Sequence, residues 1–127
     1  MERRFIVPEG MEIIRDRFGY NPGVLVGDTL YIAGQVGRDA DLNVLEGAEA
    51  QYEQAFENVG RVLRAAGADF TNVVDMVTYH VDITDLANFI PVKNRYITRD
   101  FPAWTGIGVT ALAMPGLLIE IKCVAKF

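Results

Sequence analysis

The stretch AEAQYEQAFENVGRVLRAAGADFTNVVDMVTYHVDI, residues 48–83, changes its hydrophobic period halfway along, and that change decides the fold class. From Ala48 to Ala66 the side chains Tyr52, Ala55, Phe56, Val59, Val62, Leu63 and Ala66 recur at three- and four-residue steps, the period of one helix face. Glu49, Glu53, Glu57, Arg61 and Arg64 take the other face, where Glu57 and Arg61 form an i,i+4 pair worth about 0.3 kcal/mol. Gly67 supplies the residue that most readily leaves a helix. From Met76 to Ile83 the period is two. Val77, Tyr79, Val81 and Ile83 point one way, and Met76, Thr78, His80 and Asp82 the other.

The flanking segments extend this pattern. Residues 23–36 read as a hairpin, with Val24-Leu25-Val26 and Leu30-Tyr31-Ile32-Ala33 on either side of a Gly27-Asp28 turn. Asp39 to Asn43 is a polar loop. A second helix is predicted from Asn88 to Arg99, with Leu86, Phe89, Tyr96 and Ile97 inward and Pro91 acceptable in the first turn. Two strands follow, Thr105–Leu112 and Leu117–Ala125, joined at Met114-Pro115-Gly116. This order predicts a single α+β domain over residues 1–127, a mixed β-sheet with two helices on one face. Two helices can cover only one face. Yet Thr105–Leu112 carries no charge, and Ile119, Ile121 and Cys123 make the last strand apolar. The open face is therefore expected to be buried against further copies of the chain.

Composition narrows the chemistry. The chain has 127 residues, half of them apolar, and a net charge of 12 − 17 = −5. With one histidine (His80) and one cysteine (Cys123), it can form neither an internal disulfide nor a Cys/His zinc centre, and neither metal nor cofactor is expected. A Ser–His or Cys–His nucleophile would have to use His80. The negative charge disfavours nucleic acid, and the acids between Asp39 and Glu57 reinforce this. Lys93, Arg95 and Arg99 are the one small basic cluster. The longest uncharged stretch, Phe101–Ile119, is broken by Pro102, Gly106, Gly108, Pro115 and Gly116, so no membrane span is expected. A lone thiol without an export signal points to the cytoplasm.

Several short motifs carry a resemblance. They are Gly27-Asp28, Ile32-Ala33-Gly34-Gln35-Val36, then Gln51, Ala55, Asn58, Val59 and Leu63 on the helix. Ala65-Ala66-Gly67-Ala68, Phe89, Tyr96, Phe101-Pro102-Ala103 and Ile119-Glu120-Ile121 continue them in order. On these residues the chain resembles the RidA/YjgF family of reactive-intermediate deaminases. The resemblance implies a chorismate-mutase-like fold and a homotrimer with clefts between subunits. It also implies hydrolysis of enamines and imines such as 2-aminoacrylate and 2-iminopropanoate to a 2-oxo acid and ammonia.

The chain departs from the deaminase pattern at four positions. Where the resemblance implies a carboxylate-gripping arginine, the chain has Trp104. Gly106 stands where cysteine is common, Ala33 where serine precedes Gly-Gln, and Lys93 where the second helix carries asparagine. A guanidinium binds a carboxylate through two parallel hydrogen bonds, whereas an indole has one N–H and no charge. Losing such a charged partner in a closed cleft costs about 2–5 kcal/mol. A substrate other than 2-aminoacrylate is therefore expected.

Each candidate residue has a functional and a plain reading. Glu120 holds a water and moves protons, or is a strand glutamate beside Lys122. Tyr20, in the turn-rich Phe18-Gly19-Tyr20-Asn21-Pro22-Gly23, donates to substrate or is an ordinary half-buried phenol. Trp104 walls a cleft against a planar ligand or plugs it. Lys93 restores the missing positive charge or belongs to a solvated basic helix face. The backbone at Ala33, Gly34 and Gly106 fixes the substrate if the fold is kept. His80 reads as a structural residue and Cys123 as a buried, inert thiol. The expectation is a small-molecule imine or enamine hydrolase. The alternatives are a binding or sensing trimer on the same scaffold, or a ribonuclease or translation inhibitor.

Overall fold

In a computed structural model that describes residues 2–127, three helices pack on a six-stranded sheet. The strands are β1 (Arg3–Ile6), β2 (Gly23–Val26), β3 (Thr29–Val36), β4 (Val73–His80), β5 (Ala103–Gly108) and β6 (Ile119–Lys126). The helices are α1 (Glu12–Phe18), α2 (Ala48–Ala65) and α3 (Leu86–Tyr96). The sheet order is β1-β2-β3-β6-β4-β5, antiparallel throughout except where β5 runs parallel to β4.

Helix α2 follows its sequence pattern closely. Tyr52, Ala55, Phe56, Val59, Val62 and Leu63 are buried on the sheet, and Gly67 takes φ +83° after the last turn. Gln51 is buried with them, at 2% exposure. Its amide nitrogen donates to the carbonyls of Leu45 (2.9 Å) and Gly116 (2.8 Å), and its oxygen accepts from the N–H of Leu118 (2.8 Å). One side chain thus satisfies three backbone groups in two loops and fixes the entry into β6. Gly37 makes this approach possible, because a Cβ there would lie 2.4 Å from Cβ of Gln51.

Several boundaries differ from expectation. β1 and α1 have no counterpart in the sequence reading. α1 buries only Ile14, so no apolar period announces it. β4 begins at Val73 and leaves the sheet after His80, where the Asp82 side chain caps a 3-10 turn by accepting from the N–H of Thr84. β5 stops at Gly108 instead of Leu112. α3 starts earlier, so Pro91 falls in its second turn, on an exposed face near the exposed Ala87 whose carbonyl it leaves unpaired.

The alternation in β4 is as read, but the buried set is the more polar one. Met76, Thr78 and His80 lie under the helices with Ile119, Ile121 and Cys123 of β6. Val77 and Tyr79 join Val124, Tyr31 and Phe5 on the opposite face, which no helix of the described residues covers. Tyr31 and Phe5 are 51% and 59% exposed there. Among the described residues, no helix is long and apolar enough to cross a membrane.

Candidate functional site

The candidate residues fall into two groups within one chain. The first surrounds an irregularity in β3. The pairing of β3 with β6 slips between Ile32 and Gln35, leaving Ala33 and Gly34 out of register. The N–H of Ala33 donates to the carbonyl of Pro22 (2.9 Å), and its own carbonyl accepts from Nε2 of Gln35 (3.0 Å). Ala33 therefore contributes shape to the site, with its backbone already partnered. Gly34 brings its Cα directly against Glu120, since a Cβ at position 34 would lie 2.5 Å from Oε2.

Glu120 sits on β6 between two buried isoleucines and points to the face without helices, between Val36 on β3 and Tyr79 on β4. It is half-buried and accepts no hydrogen bond among the described residues. Burial pushes its pKa up, and the nearby charges of Arg38 and Lys122 pull in the opposite direction. A carboxylate raised in this way holds a proton more readily than a free one and has lone pairs free for water.

Tyr20, 41% exposed, lines a groove with Gly34, Pro22, Arg38 and residues of α1. Arg38 was not singled out by the sequence. It is half-buried, and its guanidinium lies 5.8 Å from the Phe18 ring centre, with one nitrogen 3.1 Å from Sδ of Met114. It pairs with no carboxylate among the described residues. Asn58 holds it in place by donating to the carbonyls of Val36 and Arg38, both at 3.0 Å. The available signal was position: Arg38 is the first charge after the uncharged run Thr29–Gly37.

The second group lies at the other end of the sheet, under α3. Trp104 on β5 faces the helices, with its ring 5.9 Å from Phe89 and its Nε1–H donating to Oγ1 of Thr78 (2.9 Å). Oγ1 of Thr78 and Nε2 of His80 are 2.7 Å apart and share a hydrogen. His80 is 1% exposed, its Nδ1 has no partner among the described residues, and burial lowers its pKa, which favours the neutral imidazole. Gly106 adjoins this network, and a Cβ there would rest 3.6–3.8 Å from Thr78, Trp104 and His80, an ordinary contact.

Trp104 lines a cleft and does not fill it. The cavity, about 230 Å³, is bounded by Met76, Lys93, Ile97, Phe101, Pro102 and Trp104. Lys93 is half-buried over this cleft and does not extend along a solvated face. Cys123 is buried, and its thiol is pushed up to about 12.

The two groups do not meet within one chain. Gly34 on β3 and Trp104 on β5 are three strand spacings apart, about 14 Å. Glu120 and Trp104 also point to opposite faces of the sheet.

The comparisons agree with one another. The family model described as endoribonuclease L-PSP matches residues 14–127. The human 2-iminobutanoate/2-iminopropanoate deaminase is 40% identical over 108 residues, covering 84% of this chain and 78% of its own. The RutC family protein YjgH of Escherichia coli is 32% identical over 128 residues, covering 99% of this chain and 96% of its own. A solved YjgH structure superposes with a TM-score of 0.91 at 32% identity, covering 100% of this chain and 98% of that one. RidA from an Antarctic Psychrobacter gives 0.81 at 34% identity, covering 85% and 88%.

Proposed function

Because the chain belongs to the RidA/YjgF family, we propose that it hydrolyses a 2-imino acid, or its enamine tautomer, in clefts between the subunits of a homotrimer. The observation that carries this reading is the Glu120 carboxylate: half-buried, raised in pKa, without a hydrogen-bond donor among the described residues and seated on Gly34. Glu120 holds the attacking water and takes its proton as oxygen bonds to the imine carbon. The same carboxyl passes that proton to nitrogen, giving the carbinolamine, and then relays the hydroxyl proton to nitrogen as well, so that the C–N bond breaks and ammonia leaves as the C=O forms. Tyr20 donates to the substrate from the groove beside Gly34. The deaminase names of the mammalian relatives support the reaction class.

The two separated groups and the uncovered apolar face support the intersubunit position. A second copy laid on that face can set Trp104, Gly106 and Lys93 of one subunit opposite Glu120, Gly34 and Tyr20 of another. Trp104 in place of arginine directs the site away from 2-aminoacrylate. A cytoplasmic setting suits the buried reduced thiol of Cys123.

The test supplies 2-imino acids from a panel of amino acids with an amino-acid oxidase and follows 2-oxo acid release. Wild type should exceed the spontaneous rate, and Glu120→Gln should not. Equal rates for the two proteins overturn the hydrolase reading. A second reading, a non-catalytic binding or sensing trimer, is favoured by the indole N–H of Trp104 being consumed by Thr78. It predicts saturable ligand binding without turnover.

A further inference from the structure

The cleft beneath Trp104 has a charge and a shape that the imine reading alone does not explain. Nζ of Lys93 lies 5.4 Å from the Trp104 ring centre and 6.0 Å from that of Phe101, at the outer limit of a cation–π contact. Its three N–H donors have one acceptor, Oδ1 of Asn94 at 2.9 Å, and no carboxylate pairs with it among the described residues. Burial lowers its pKa. Phe101 is 72% exposed, the largest value among the exposed large hydrophobic residues. The one polar atom of Trp104 is turned inward to Thr78, so what the indole offers the cleft is a π surface. An under-coordinated ammonium above two ring faces, in a cleft of about 230 Å³, is complementary to a flat anion.

We propose that this cleft takes planar carboxylates bearing an aromatic or conjugated side chain, with the ring on Trp104 and Phe101 and the carboxylate on Lys93. The inference rests on reading this cleft as part of the substrate site, and it names the substrate class: 2-imino acids with aryl side chains, with the carboxylate held by a lysine. An ammonium meets a carboxylate as a point charge and not through a planar fork. The aromatic surfaces supply the orientation that a bidentate pair would otherwise give.

The chain has one tryptophan, so its emission reports on this site alone. The probe is 3-phenylpropionate, which is stable and needs no turnover, titrated into the intact protein. Its controls are 3-phenylpropionamide, which keeps the ring, and propionate, which keeps the charge. Saturable change with 3-phenylpropionate at millimolar concentration is expected, and much weaker change with either control. Lys93→Met should weaken binding roughly tenfold to a hundredfold, the value of one charged hydrogen bond, while Lys93→Arg stays within a few-fold. Equal binding of the amide, unchanged binding by Lys93→Met, or no saturable response overturns the proposal. Absent imine turnover with this binding intact overturns the hydrolase reading instead. Turnover of small aliphatic imino acids with no aryl binding overturns only the proposal made here.

Discussion

Gly34 and Glu120 are in direct contact across the β3–β6 pair: a methyl on Gly34 would stand 2.5 Å from Oε2, 2.7 Å from Cδ and 2.8 Å from Cγ of the glutamate. What collides is the outer part of a flexible side chain, so Gly34→Ala is expected to fold and to swing the carboxylate aside. Imine hydrolysis should fall at least about tenfold, since displaced catalytic groups lose most of their advantage. The melting temperature should move by only a few degrees. Full activity in Gly34→Ala would remove Glu120 from the reaction.

Glu120→Gln should separate stability from activity. Burial raises the glutamate pKa above its unfolded value near 4.3. The folded state then binds more protons than the unfolded one between the two values, so this residue costs stability as pH rises through that window. The amide should make the protein slightly more stable at pH 7, by less than about 1 kcal/mol because the group is half exposed. Turnover should drop about 10²–10⁴-fold. Parallel melting and rate measurements check both parts.

Arg38→Gln acts on Glu120 through charge. The arginine holds the Glu120 pKa below where burial alone would put it. Without it, the acidic limb of the pH–rate profile should move to higher pH, while activity at alkaline pH is better preserved. A profile shifted to lower pH, or not at all, contradicts the coupling.

His80 should make the fold sensitive to mild acid. Its folded pKa is lowered by burial, and the unfolded imidazole titrates near 6.5. Between those values the unfolded chain carries the extra proton, so stability declines as pH drops below about 6.5. Urea titrations of wild type and His80→Gln should show their stability difference narrowing from pH 7 to pH 5. A constant difference would mean His80 does not titrate in this way.

Gln51→Ala should cost about 1–3 kcal/mol, because three part-buried backbone groups lose their side-chain partner. Denaturant midpoints measure it directly. Gln51→Glu is expected to recover less than half of the loss, since a carboxylate cannot donate to the carbonyls of Leu45 and Gly116.

How far the sequence reveals these features depends on how local each one is. α2 was legible because seven apolar positions share one period, and the two-residue alternation of β4 was legible for the same reason. Which side of β4 is buried was not, because Met76, Thr78 and His80 are covered only when α3 folds over them. α1 leaves no such trace, since one buried residue sets no period and its N-cap Met11 provides no side-chain cap. Glu120 stood out as a lone acid on an apolar strand. Arg38 did not, because its place depends on the slip in β3 and on Asn58, which lies 20 residues away. The separation of Trp104 from Glu120 is a matter of strand order and facing, which one-dimensional pattern does not encode.

The placement of β6 has a consequence for biosynthesis. Residues 119–126 form a central strand, hydrogen-bonded to β3 on one side and β4 on the other. Until they have been translated, β1-β2-β3 and β4-β5 share no strand, and α2 and α3 cover a sheet with a gap in its middle. From the time β4 is made until β6 follows, the nascent chain therefore carries the open edges of β3 and β4, the kind of surface on which extended chains pair wrongly. Closure comes in one late event, when β6 enters between them and places Glu120 beside Gly34, so the sheet and the carboxylate site are completed together.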